Sequence, residues 1–284
     1  MIEVLDAGVL TTVQDLGRPG LAHLGVPRSG ALDQPALRLA NRLVGNPEGA
    51  AGLEVTLSGC ALRFGRAATV ALAGAAADLT VADRPAGFGA PVPVPAGATV
   101  RVAPARYGVR SYLAVDGGIA VPAVLGSRST DTLCGLGPPP LRDGMVLPLG
   151  PRAGRVSTVD STPWSAPPST LELRVRPGPR DDWFTGDALG TLHRQPYTLS
   201  PVSNRIGARL SGPALARRVC GELPSEGLSL GAVQVPADGQ PLVFLADHPT
   251  TGGYPVIAVV HPADVFLLAQ ARPGTTVRFC GPQR

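Results

Sequence analysis

Asp247-His248-Pro249-Thr250-Thr251-Gly252-Gly253-Tyr254-Pro255 separates two apolar runs, Pro241–Ala246 and Val256–Val260. Short runs of Val, Leu and Ile on either side of a polar, glycine-containing turn read as two strands and their connection. The connection carries two hydroxyls, a carboxylate and a phenol. Gly252-Gly253 permits positive φ and close approach of a partner. Thr250, Thr251 and Tyr254 supply donors and acceptors. Loops of this kind carry function on rigid β scaffolds, and the same letters also describe a plain tight turn.

Working outward, the strand-and-turn pattern repeats. Leu53–Phe64, Thr69–Ala73, Asp78–Val81, Thr99–Val102 and Val109–Val115 read as strands in the first half. Leu171–Val175, Tyr197–Pro201, Ala232–Val235 and Thr275–Phe279 do so in the second. The 36 Gly and 31 Pro are scattered between them, as turns require. A Pro, Ser, Thr and Gly-rich stretch at 151–169 reads as a linker between halves at 1–150 and 170–284. Helices are expected at about Gln34–Val44, with Asp33 as N-cap, and at about Ala263–Ala271. Pro95–Val102 echoes Pro273–Phe279, which suggests two related halves.

Every one of the 25 cationic residues is arginine. Without lysine the chain has no ordinary P-loop, no Schiff-base chemistry and no biotinyl-lysine of its own. Net charge is +4 and the basic residues are dispersed, which argues against nucleic acid as a partner. No apolar run approaches about 18 residues, so no membrane span is expected. The N-terminus lacks a signal-peptide pattern, and Cys60, Cys134, Cys220 and Cys280 are widely spaced, so a cytoplasmic protein with free thiols is expected. The four histidines are too far apart for a local metal pair, and no metal site is expected.

Several segments concentrate polar groups. Gln14, Asp15, Arg18, Arg28 and Ser29 lie in a glycine-rich stretch ahead of the first helix, where an anion is attracted and where ion pairs and a helix cap are equally consistent. Ser127, Arg128, Ser129 and Thr130 form a second such loop, suited to an oxyanion or to a simple turn. Asn204-Arg205-Ile206-Gly207-Ala208-Arg209, taken as a strand, places Arg205 and Arg209 on one face. Glu226 and Gln234 flank a G-x-S-x-G sequence at Gly227–Gly231, which lacks the following helix that a hydrolase elbow needs. His248 beside Asp247 is the best-placed histidine for proton transfer.

Taken in order, the motifs resemble a known family. They are Gln14-Asp15-x-Gly17-Arg18-x-Gly20, Gly25-Val26-Pro27-x-Ser29-Gly30-Ala31, Tyr112-Leu113-Ala114-Val115-x-Gly117-Gly118, Ser203-Asn204-Arg205-x-Gly207-x-Arg209, Ser225-Glu226-Gly227, Gln234-Val235-Pro236 and Thr250-Thr251-Gly252-Gly253-Tyr254-Pro255. The chain resembles the family of 5-oxoprolinase C subunits (PxpC), also called KipA or allophanate hydrolase subunit 2, over nearly its whole length. The resemblance implies a mainly β protein of cyclophilin-like β-barrel architecture, here with two β-barrel-like halves and two or three short helices. It implies one component of an ATP-dependent 5-oxoprolinase, which opens the lactam of 5-oxo-L-proline to L-glutamate. A KipI-like protein (PxpB) and a LamB/YcsF-like protein (PxpA) would be its partners, with ATP and Mg2+ used by the complex and no covalent cofactor on this chain.

On that footing the candidate catalytic residues are Asp15, Glu226, Asp247 and Tyr254. Candidate binders of substrate or ATP are Gln14, Arg18, Arg28, Ser29, Asn204, Arg205, Arg209, Gln234, Thr250, Thr251, Gly252 and Gly253. The alternatives are an allophanate- or urea-directed carboxyltransferase component and a non-catalytic binding protein that antagonises a KipI-like kinase inhibitor.

Overall fold

The computed structural model describes residues 1–152, 154–219 and 221–281. The chain divides into two compact units, Met1–Arg18 with Ser29–Pro167, and Pro19–Arg28 with Pro168–Arg284.

In the first unit a six-stranded sheet runs in the order Val146–Leu147, Ile2–Asp6, Cys60–Phe64, Thr99–Val102, Leu79–Val81, Arg84–Ala86. A five-stranded sheet has the order Leu10–Gln14, Gly52–Thr56, Tyr107–Val115, Ala68–Ala76, Pro91–Val94. Alternate residues of both sheets enter one core: Ile2, Val4, Leu62 and Phe64 from the first, Val13, Leu53, Leu72 and Leu113 from the second. The run expected at Leu53–Phe64 is two strands. Leu57 at φ 56° and Gly59 at φ 83° turn the chain between them.

Helix α1, Gln34–Leu43, is capped as the sequence predicts, with Asp33 accepting from Ala36 N at 3.0 Å. It packs Ala40 and Leu43 against Ala71, Ala73 and Ala114 of the five-stranded sheet. Alanines on the sheet face leave room for a close helix. A buried trio fixes the chain entering α1: Tyr112 Oη donates to Glu54 at 2.7 Å, and the Leu32 and Asp33 amides donate to Glu54 and Tyr112. Burial, then the Glu54 charge, pushes the Tyr112 hydroxyl well above its usual value. The 151–167 part of the expected linker lies on this unit. Arg152 pairs with Asp116 at 2.6 Å, and the Trp164 indole donates to Gly74 O at 2.9 Å.

The second unit is a closed barrel of seven strands: Thr170–Pro177, Val256–Val260, Ala232–Gln234, Leu242–Phe244, Gly207–Ser211, Tyr197–Leu199, Thr276–Cys280. The last strand pairs parallel with the first and closes the ring. Leu171, Leu173, Val233, Val243, Ile257, Val277 and Phe279 are among its buried side chains. Helix α2, Gly186–Arg194, forms where the sequence predicts none. Its N-cap Thr185 accepts from Ala188 N at 3.1 Å. Helix α3, Pro262–Leu268, is shorter than expected and is capped by His261. The internal echo has a structural counterpart: Gly97 at φ 81° and Gly274 at φ 88° each turn the chain into a following strand.

Among the described residues no helix is long and apolar enough to cross a membrane, and no group of His, Cys, Asp and Glu could hold a metal ion. Cys60, Cys134 and Cys280 are free thiols, and Cys220 lies outside the described residues.

Candidate functional site

The polar residues of the first unit form a buried network. Asp15 accepts from Ser127 Oγ and Ser129 Oγ at 2.6 Å, from Arg128 N at 2.6 Å and from Gly17 N at 2.8 Å. Arg18 donates to Ser29 Oγ at 2.9 Å and to the carbonyls of Ser129 and Val124 at 2.7 and 3.3 Å. Ser29 Oγ in turn donates to Asp131 at 2.6 Å. Gln14 Nε2 reaches Thr12 Oγ1 and Thr130 O, both at 3.0 Å. Gln14, Asp15, Arg18 and Ser29 are at most 7% exposed. The structure therefore brings Gln14, Asp15, Arg18 and Ser29 together with the 127–131 loop, as the backbone-fixing centre of the unit. Their hydrogen-bonding capacity is directed inward, which corrects the expectation that Asp15 acts as a free catalytic carboxylate and Arg18 as an anion binder. Arg28, adjacent in sequence, belongs to the second unit.

Arg205 and Asp247 are corrected in the same way. They form a bidentate ion pair, Nε to Oδ2 and Nη2 to Oδ1, both at 2.9 Å, with side chains 1% and 0% exposed. A carboxylate so buried and so paired has no access to a substrate proton. Arg205 and Arg209 do not share a strand face either. Arg205 precedes the strand Gly207–Ser211 and is buried, whereas Arg209 lies on it and is exposed. Asn204 folds back, its Oδ1 accepting from Ile206 N and Gly207 N at 2.8 and 3.2 Å, which makes it a turn former. His248 is buried and its Nδ1 lies 2.7 Å from Pro249 O, so the ring donates to its own loop rather than serving as a base.

What remains accessible gathers around the Thr250–Tyr254 loop. Thr251–Gly252 pairs antiparallel with Glu226–Gly227, placing Glu226 opposite Gly252. Arg180 binds the Glu226 carboxylate through both Nε, at 3.0 Å, and Nη2. The Arg180 hydrogen bonds hold the Glu226 carboxyl below its ordinary range. The group is thus an acceptor or base near neutrality, not an acid. Behind the loop, buried Gln234 donates from Nε2 to Tyr254 O at 3.0 Å. The Arg217 guanidinium lies 5.7 Å from the Tyr254 ring centroid and also donates to Val235 O at 2.6 Å. Tyr254 itself is 48% exposed.

Gly252 is required by space, not by dihedral. A Cβ there would lie 2.8 Å from Leu228 Cδ1 and 2.9 Å from Gln234 Nε2, and neither Gly252 nor Gly253 has positive φ. That corrects the reason for the glycines while keeping the close approach. The arrangement presents the Tyr254 and Thr251 hydroxyls, exposed Gly253 and the Arg180–Glu226 pair. It suits a small polar ligand whose carbonyl takes hydrogen bonds and whose N–H or water faces a carboxylate. Sequence alone does not single out Arg180 and Arg217. Arg180 meets its partner 46 residues away, and a local motif carries no sign of such a pair.

The family described as the carboxyltransferase domain, subdomain A and B, matches residues 24–281. The Escherichia coli protein named as the C subunit of 5-oxoprolinase is 42% identical over 98% of this chain and 90% of its own length. The Haemophilus influenzae protein of the same name is 36% identical over the same shares. The crystal structure of the Kluyveromyces lactis urea amidolyase superposes with a TM-score of 0.90 at 31% identity, covering 98% of this chain and 18% of that one. TTHA0988 has a TM-score of 0.88 at 41% identity, and this chain spans 56% of it.

Proposed function

This chain belongs to the carboxyltransferase-domain family, subdomains A and B, and from that premise we propose that it is the C subunit of an ATP-dependent 5-oxoprolinase. The 42% identity to a protein of that name, extending over 98% of this chain, carries the reading. The enzyme would open the lactam of 5-oxo-L-proline to L-glutamate together with a KipI-like and a LamB/YcsF-like partner, in the cytoplasm. ATP with Mg2+ would be consumed by the complex, and the absence of lysine leaves no site for a biotinyl group on this chain.

In this reading the lactam is held at the Thr250–Tyr254 loop. Tyr254 and Thr251 donate to its carbonyl, where charge develops on attack. Glu226, kept ionised by Arg180, accepts a proton or orients water. Gln234 and Arg217 set the position of Tyr254. Asp15, Arg18, Ser29, Arg205 and Asp247 hold the scaffold. The test is reconstitution with both partners and measurement of glutamate released from 5-oxoproline. Release that requires ATP, this chain and 5-oxoproline supports the reading, and a complex inert toward 5-oxoproline sinks it.

A second reading rests on the urea amidolyases of Lachancea kluyveri and Saccharomyces cerevisiae, each 34% identical over 98% of this chain but only 17% and 16% of their own length. Here the chain would serve a biotin-carrying partner in carboxyl transfer to a urea-like amide. Fixation of labelled bicarbonate by the complex distinguishes the two.

A further inference from the structure

A pocket of about 380 Å3 on the second unit lies apart from the Thr250–Tyr254 loop. Its walls are Leu230, Val259 and Pro262, with Ser229, Arg176 and His261 among its polar lining residues. That volume falls in the range of small-molecule sites, roughly 300–1,000 Å3. We propose that this pocket binds a small carboxylate with an apolar body.

The polar groups decide the ligand's charge. Arg174 also lines the pocket, but it is committed to Asp264 by bonds of 2.9 and 2.6 Å, so these two cancel. Arg176, on the same strand and same face, is exposed, and among the described residues no carboxylate is paired with it. His261 receives the Ala263 amide on Nδ1 at 3.3 Å, and Arg174 Nη2 approaches the same nitrogen at 3.5 Å. With Nδ1 accepting, the ring proton resides on Nε2, so the imidazole offers a donor. The Ser229 hydroxyl donates as well. Guanidinium, imidazole N–H and hydroxyl together match a carboxylate, and the aliphatic walls match a short hydrocarbon chain.

The same tautomer argues against hydrolysis here. Ser229 is the central residue of the Gly227–Gly231 G-x-S-x-G sequence, but Nε2 of His261 carries a proton and cannot take one from the hydroxyl. The strand Ala232–Gln234, not a helix, follows the turn. The pocket recognises; it does not cleave.

Titration of the intact chain with hexanoate, hexanol and hexylamine, followed by amide chemical shifts, tests the proposal. The expected result is saturable hexanoate binding with shifts confined to 174–176, 229–230 and 259–262. Hexylamine should cause none, and Arg176→Gln should weaken hexanoate about tenfold or more, the loss of a charge-assisted contact. Leu230→Trp, which fills the pocket, should abolish binding with the barrel intact. Equal binding of hexanol and hexanoate, undiminished binding by Arg176→Gln, shifts elsewhere in the unit, or no saturable binding by the folded protein would each overturn it.

Discussion

Arg18 and Ser29, the residues between which the chain leaves and re-enters the first unit, are joined by a hydrogen bond of 2.9 Å. Ser29 holds a left-handed backbone, φ 53°, while bonded to both Arg18 and Asp131. A non-glycine residue keeps such a conformation only where its surroundings compensate. Ser29→Ala keeps the strained backbone and removes both bonds from a buried guanidinium and a carboxylate. It should cost about 2–3 kcal/mol in urea unfolding. Ser29→Gly, which also relieves the strain, should cost less. Equal losses would show that the backbone conformation contributes nothing.

Asp131 gives the acid side of the stability curve. Burial pushes its carboxyl up, but the Ser29 hydroxyl and the amides of Cys134 and Leu133 outweigh this and hold it below the usual value. A depressed folded-state pKa adds stability that is present above the unfolded value, about 3.9. That stability is lost as pH falls through the folded value. Asp131→Asn should therefore flatten the fall in stability below roughly pH 4, while destabilising the protein at pH 7. Parallel urea titrations at acid and neutral pH measure both.

The Arg205–Asp247 pair should respond as a unit. Removing one partner leaves a buried charge, so Arg205→Met or Asp247→Leu alone should cost about 3–5 kcal/mol. The double variant should recover much of that loss. A double-mutant cycle by thermal or urea unfolding measures the coupling, and additive losses would contradict it.

At the accessible loop, stability and activity should separate. Tyr254→Phe alters an exposed hydroxyl, so unfolding should shift by no more than about 0.5 kcal/mol. Turnover of 5-oxoproline by the reconstituted complex should fall about a hundredfold. Gly252→Ala should lower both, because its Cβ displaces Leu228 and the Gln234 amide that holds Tyr254.

The thiols differ in reactivity for physical reasons. Burial pushes the Cys60 thiol up to about 12, which leaves it essentially without thiolate near neutrality. Cys134 is exposed. Brief alkylation of native protein by iodoacetamide should modify Cys134 and spare Cys60, as read by peptide mass spectrometry. Modification of Cys60 at the same rate would mean that the first-unit core opens readily.

Much of the scaffold is legible in the chain because its cues are local. Thr99–Val102 and Val256–Val260 end where their turns begin, and Asp33 with Pro35 announces α1. Helix α2 escapes because Gly186 and Gly190 weaken its helical pattern, leaving Thr185 as an isolated cap. Ile2–Asp6 and Leu10–Gln14 escape as short strands whose partners lie far away. The candidate site divides along the same line. The Gly252–Tyr254 loop stands out by composition. The fates of Arg205 and Glu226 depend on Asp247 and Arg180, 42 and 46 residues distant, and no periodicity encodes those meetings.

The parallel pairing of Thr170–Pro177 with Thr276–Cys280 sets an order of events during synthesis. The first strand of the barrel leaves the ribosome long before the strand that seals it. Until that strand arrives, the nascent barrel carries open edges, a state prone to mispairing. The first unit's sheets draw only on residues up to Leu147 and can form earlier. Vectorial folding would then leave barrel closure as the slow, late step, the one most exposed to truncation and most dependent on chaperones.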